Sequence, residues 1–195
     1  FVCNPKGYKY TRKAKYPEFY KTVDTERPSA VEQADFELER DEATDHTILF
    51  LADIQMCGRN EDIRQYEENA VGDINTSISN ARKQGKDVYV ITLGDQSYNT
   101  YWHSYNIGIP EIHESMNLLD PDAIFNCMGN HDNNPKIAGD WAASTDYREQ
   151  WGPTYYSFNI GEIHYVVLDN IEFTNAECKN TFECNITTSV IKWLR

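Results

Sequence analysis

Two aspartates, an asparagine and a histidine stand at matching places in this chain, each just after a short apolar run that breaks into a polar turn. Asp53 lies in "LADIQ", Asp95 in "LGDQSY", and Asn130 with His131 in "MGNHDNN". Two carboxylates brought together repel unless hydrogen bonds or a cation offset them, and a set of carboxylate, amide and imidazole suits a hard or borderline divalent metal. A carboxylate shared between two such ions makes a two-metal centre, which activates water and neutralises the charge growing on a transferring phosphoryl group. In that arrangement Asp95 bridges, Asp53 and Asn130 hold separate ions, and His131 protonates the leaving oxygen. Each residue alone has a plainer reading. An aspartate after a strand is commonly a turn former or helix cap, Asn130 after a glycine a left-handed turn residue, and His131 an ordinary hydrogen-bonded histidine. Repetition at three strand ends sets metal binding against those readings.

The elements that must position these residues alternate along the chain. "HTILFLAD" reads as the first core strand, with Ile48, Leu49, Phe50 and Leu51 continuous and therefore buried on both faces. A helix is predicted over about 60–84 from Ile63, Tyr66, Ala70, Val71, Ile74, Ile78 and Ala81, capped by Asn60 and stopped by Gly85. "DVYVITLGD" is the second strand. A shorter helix over about 110–119 starts at Pro110 and uses Ile112, Met116 and Leu119 as its apolar side. "AIFNCMGN" is the third strand, "TYYSFNIGEIHYVVLDN" a strand pair, and "TTSVIKWLR" the start of a helix capped by Thr188 or Ser189. This β-α-β-α-β order followed by a meander implies a layered α/β domain over residues 46–195. Residues 1–45 read as an N-terminal appendage, or the tail of a preceding β domain.

Composition narrows the partners. The formal charge is −13, yet residues 1–27 hold seven Lys/Arg against three Asp/Glu, so the remainder is strongly acidic. Such a field opposes nucleic-acid binding, where neutralising phosphates supplies much of the affinity, but admits a phosphorylated small molecule if a cation reverses the local sign. No apolar run approaches the length of a membrane span. No cysteine pair supports a structural zinc site. The close spacing of Cys178 and Cys184 predicts a small disulfide and with it a periplasmic or extracellular location.

Taken in order, "DIQ" at 53–55, "GDQSY" at 94–98 and "GNHD" at 129–132, followed by "WGPTYYSFNIGEIHYVVLDN" at 151–170, resemble the calcineurin-like metallophosphoesterase superfamily. The resemblance covers roughly residues 46–195. It implies an α/β sandwich with α/β/β/α layers and a phosphomonoesterase or phosphodiesterase activity. It also implies two divalent or transition-metal ions in a complete domain, with Mn, Fe, Zn, Mg and Ca all candidates. It assigns Asp53, Asp95 and Asn130 to metal, with Gln55 as a weaker neutral ligand, and His131 to phosphate contact or leaving-group protonation, with Tyr98 a further candidate ligand as phenolate. Outside the resemblance, His103 after the "GDQSY" loop either lines a substrate cleft or substitutes for a missing ligand, against simple packing of an aromatic loop, and Asp132 either supports His131 by hydrogen bonds or solvates the turn. The chain departs from the family pattern at three points. Gln55 replaces a histidine, Tyr98 stands where protein phosphatases have Asp and purple acid phosphatases Tyr, and no histidine follows His164. The last departure implies a fragment that lacks the C-terminal histidine motifs, with an incomplete sandwich that holds one ion or none. The competing reading is a noncatalytic metal- or ligand-binding scaffold derived from the same fold.

Overall fold

A computed structural model describes residues 1–23, 33–42, 45–174, 179 and 181–195. Four short strands open the chain: β1 (Tyr8–Tyr10), β2 (Arg12–Lys13), β3 (Tyr16–Pro17) and β4 (Leu38–Arg40). β1 pairs antiparallel with β4 and β2 with β3. The central sheet follows, built from β5 (His46–Leu51), β6 (Asp87–Thr92) and β7 (Ala123–Phe125) in the order β5-β6-β7, all parallel. Register aligns Leu49 with Val90 and Val90 with Ile124, so these three side chains share one face. Ile48, Tyr89 and Ala123 share the other.

Parallel strands need crossovers, and the sequence between them is helical. The first crossover runs through α1 (Asp62–Gln65), a π-helical stretch (Tyr66–Ala70) and α2 (Val71–Arg82). Its start differs from expectation. Asn60 sits in a left-handed conformation and caps nothing, while the Asp62 carboxylate accepts from the N–H groups of Cys57 and Gly58 at 3.1 and 2.8 Å. The second crossover contains α3 (Trp102–Tyr105) and α4 (Ile109–Met116), with Pro110 in the first turn of α4 and Glu111 accepting from the Gly108 N–H at 2.8 Å. After β7 come α5 (Asp140–Ala143) and α6 (Thr145–Trp151). The antiparallel hairpin β8 (Tyr156–Ile160) and β9 (Ile163–Val167), the short pair β10 (Ile171–Glu172) and β11 (Glu183–Cys184), and α7 (Thr188–Trp193) complete the chain. The cap of α7 is Thr187, one residue before the expected position, because its hydroxyl accepts from the Val190 N–H.

The two faces of the sheet are covered differently. Val90, Ile124, Leu49 and Leu51 pack with Ile109, Ile112 and Met116 of α4, Tyr66 and Trp151. Tyr89, Ile91, Ala123 and Phe125 pack against the hairpin β8–β9 and against Tyr10 and Phe19 of the N-terminal segment. Phe125 and Phe158 stack with ring centroids 3.6 Å apart. The result is a mixed α/β fold: helices, a parallel sheet, then a second β layer.

β5 departs from its expected burial. It is an edge strand of the sheet, and Phe50 is 57% exposed, whereas its register partner Ile91 is buried. The hairpin covers the row Ile91–Phe125 and leaves Phe50 at the rim. The N-terminal residues engage the same layer. Asn4 exchanges hydrogen bonds with the backbone of Asn159, and the Ile124 N–H donates to the Lys15 carbonyl at 2.8 Å. Cys178 lies outside the described residues, and with it the expected pairing to Cys184. Among the described residues no helix is long and apolar enough to cross a membrane.

Candidate metal centre

Because β5, β6 and β7 are adjacent and parallel, the segments leaving their carboxyl ends lie along one edge of the sheet, where open α/β folds bind ligands. The first two segments stay paired beyond the strands. Asp53 N–H donates to the Gly94 carbonyl at 3.3 Å, Gln55 N–H to the Asp95 carbonyl at 2.9 Å, and Met56 N–H to the Gln96 carbonyl at 3.0 Å. Asp53, Gln55 and Asp95 all have φ near +50° (50°, 50° and 51°). Left-handed backbone costs a non-glycine residue about 1–2 kcal/mol, and strain of this kind clusters at functional sites.

Two glycines let the second and third segments touch. A Cβ on Gly129 would fall 2.2 Å from Asp95 Oδ1 and 2.3 Å from Asp95 N, and one on Gly94 would fall 3.0 Å from the Gly129 Cα. Only a bare backbone permits this approach. Below it, buried Gln96 donates through Nε2 to Thr92 Oγ1 (2.8 Å) and to the Cys127 carbonyl (2.9 Å), tying the end of β6 to the chain leaving β7.

At this junction Asp95 is buried, 8% exposed. Its Oδ1 accepts from the His131 N–H at 2.8 Å, and its Oδ2 faces Gln55 Nε2 at 3.4 Å. Among the described residues no cationic side chain pairs with Asp95 or with Asp53, although a buried carboxylate without a counter-charge is costly. Asp53 is exposed and Asn130 half-buried at the start of a 3₁₀ turn (Asn130–Asp132), and neither side chain hydrogen-bonds to another described residue. The oxygens of Asp53, Asp95 and Asn130 are therefore available to a cation, and carboxylate and amide oxygens are donors for hard divalent ions. Gln55 as placed turns its NH₂ group toward Asp95. Among the described residues no group of three or more His, Cys, Asp and Glu side chains is arranged to hold a metal.

Asp132 is fully buried. Its two oxygens accept from the N–H groups of Ser97 and Gly129, both at 2.9 Å, and from the Ser97 hydroxyl at 3.1 Å. Burial pushes its carboxyl up to about 7; the N–H groups of Ser97 and Gly129 oppose this and the neighbouring Asp95 adds to it. His131 is half-buried and its ring meets Tyr98 edge-on at 4.5 Å. Burial lowers its pKa, while the carboxylates of Asp95 and Asp53 pull it upward. Its Nδ1 lies 2.9 Å from Asn99 Oδ1, and Asn99 Nδ2 donates to the Asn133 carbonyl at 2.8 Å. Asn99 was not singled out by sequence reasoning; the available signal was its position directly after Tyr98 in a polar loop. His103 stands exposed on α3 without a bond or ring contact to these residues, and Trp102 beside it is buried in the helical core.

No curated protein and no solved structure matched the chain in searches of either kind. A family model, that of calcineurin-like phosphoesterases, matches residues 46–193, which begin at β5 and include all three strand ends. That family comprises metal-dependent phosphoester hydrolases, which bind divalent metals. With its parallel sheet, its helical crossovers and this match over most of its length, the chain belongs to the calcineurin-like phosphoesterase family.

Proposed function

We propose that this chain hydrolyses a phosphoric monoester or diester of a small molecule, with divalent cations held at the carboxyl edge of the parallel sheet. The observation that carries this reading is the buried Asp95 carboxylate, which among the described residues pairs with no cationic side chain and follows the strand that lies between those leading to Asp53 and Asn130. In this reading Asp53, Asp95 and Asn130 would hold the cations, with Asp95 as the central anionic ligand and the Gln55 amide as a weaker neutral one. A cation bound there supplies Lewis acidity toward phosphoryl oxygens and lowers the pKa of water. The chain does the rest. The His131 backbone N–H holds one Asp95 oxygen in place, and Asp132, through Ser97 and Gly129, fixes the loop that carries Asn130 and His131. As a water oxygen bonds to phosphorus, the P–O bond to the leaving group breaks; the leaving oxygen keeps that bond's electron pair and takes the Nε2 proton of the His131 imidazolium, and the proton lost by the attacking water passes to solvent, from which the ring is reprotonated.

A second reading, a noncatalytic ligand-binding or scaffold domain, is favoured by Gln55, whose amide donates toward Asp95 where the family has a histidine ligand. Hydrolysis of p-nitrophenyl phosphate and of bis(p-nitrophenyl) phosphate with Mn²⁺, Mg²⁺, Zn²⁺ or Ca²⁺ separates the two. The enzyme reading expects turnover that a chelator abolishes. In His131→Ala it expects retained metal binding with a loss of about 10²-fold for poor leaving groups and less for nitrophenolate. Measurable metal binding without turnover on any ester would leave the scaffold reading.

A further inference from the structure

We propose that Asn99 is the positioning residue for His131: it fixes the imidazole as the Nδ1–H tautomer and so commits Nε2 to the reacting side. The inference rests on the phosphoesterase reading for its catalytic meaning but not for its geometry. The Asn133 carbonyl can only accept a hydrogen bond, so the Asn99 atom 2.8 Å from it is the amide NH₂. Asn99 Oδ1 therefore faces His131 Nδ1 at 2.9 Å, and an amide oxygen can only accept. The hydrogen between them belongs to Nδ1. In the neutral ring, Nε2 then carries the lone pair; in the imidazolium, it carries the transferable proton, and the bond to Asn99 persists through both states.

The surroundings make this assignment rigid. Asn99 is fully buried, with 0% exposure, at the start of a 3₁₀ turn (Asn99–Tyr101) between Tyr98 and α3. The Tyr98 ring lies edge-on against His131 with planes 83° apart. The carbonyl of His131 accepts from the Ser97 hydroxyl at 2.6 Å, and its N–H is held by Asp95, so the backbone bearing the ring is pinned on both sides. Tyr98 presents no carboxylate to the ring. Asn99 supplies an orienting acceptor from the next residue, and because it is neutral it sets tautomer and direction without adding a full counter-charge to the imidazolium.

The experiment is long-range ¹H–¹⁵N correlation on protein labelled at histidine nitrogens, with His131 assigned by the loss of its signals in His131→Ala. It is run without added metal at a pH where the ring is neutral. We expect wild-type His131 as the Nδ1–H tautomer, which free imidazole side chains disfavour. Asn99→Ala, checked for folding by circular dichroism, should revert to the Nε2–H form. Asn99→Asp, which keeps an acceptor toward Nδ1 but loses the donor to Asn133, should retain Nδ1–H. A wild-type ring in the Nε2–H form would overturn the assignment even if neither variant folds, and so would Asn99→Ala with an unchanged tautomer. In turnover, Asn99→Ala should lower kcat about tenfold for an alkyl phosphate with KM nearly constant, and restore most of it for a nitrophenyl ester. Absence of hydrolysis in wild type would refute the phosphoesterase reading while leaving the tautomer result to stand or fall alone.

Discussion

Replacing Gly129 by alanine tests whether the approach of two loops builds this site. The added methyl would meet Asp95 Oδ1 at 2.2 Å and Asp95 N at 2.3 Å, more than an ångström inside ordinary contact. One obstacle is backbone, so no side-chain rotation relieves it, and the loops leaving β6 and β7 must separate. Separation breaks the bond from His131 N–H to Asp95 Oδ1 and disturbs that from Gly129 N–H to Asp132. Overpacking of this kind costs about 1–3 kcal/mol, and loss of a hydrogen bond to a charged group about 1.5–3 kcal/mol. A destabilisation of about 3–5 kcal/mol follows, a large part of a typical domain's stability. Urea denaturation should show the midpoint falling with the slope unchanged, and the folded fraction should bind Mn²⁺ weakly because the loops carrying Asp95 and Asn130 have separated. Gly129→Ala within about 0.5 kcal/mol of wild type, with equal Mn²⁺ affinity, would refute the reasoning.

Two further substitutions probe the frame. Burial pushes the Asp169 carboxyl up to about 6, opposed by the Thr154 hydroxyl and the Ile171 N–H. A folded-state pKa above the unfolded value gives stability that is fully present below about pH 4 and is lost as pH rises through about 6. Asp169→Asn, which keeps an acceptor for Ile171, should therefore gain up to about 3 kcal/mol over wild type at pH 7.5 and almost nothing at pH 4; an equal effect at both, in chemical denaturation, would contradict this. Asn4→Ala strips the partner of Asn159, whose backbone N–H it binds at 2.9 Å and whose carbonyl it also contacts at 2.9 Å. Denaturation should show a loss of about 2–4 kcal/mol, whereas an unchanged midpoint would show that the first residues do not brace the hairpin.

Much of this frame could be read in the sequence because hydrophobic period and chain breaks report it directly. The runs ending near Asp53, Asp95 and Asn130 are the three parallel strands, and Pro110 opens α4 as its first-turn preference dictates. What stayed hidden depends on partners distant in sequence. Phe50 looks like any core residue until the register places it on an edge strand beyond the reach of the hairpin. Asn60 has the composition of a cap, but Asp62 reaches back to two N–H groups and displaces it. The contact of Gly129 with Asp95 and the bond of Asn99 to His131 each join residues more than thirty positions apart, which local pattern cannot report. Residues 1–20 lack a clean period, yet Tyr10 and Phe19 enter the second core because long-range packing selects them.

The central claim is that Asp95 anchors divalent cations at the sheet edge, and a calorimetric titration of Mn²⁺ into wild type and Asp95→Asn measures it directly. Loss of even a group that only orients a metal ligand typically weakens binding 10–100-fold, so removing the central anionic ligand should weaken it by at least about a hundredfold. Folding of Asp95→Asn is checked by circular dichroism, and Gln55→Ala, which removes one neutral amide, should lose less. Wild type binding Mn²⁺ with Asp95→Asn binding far more weakly is the expected result. Equal affinity and stoichiometry in the two proteins would contradict the account and return Asp95 to the role of a buried loop residue.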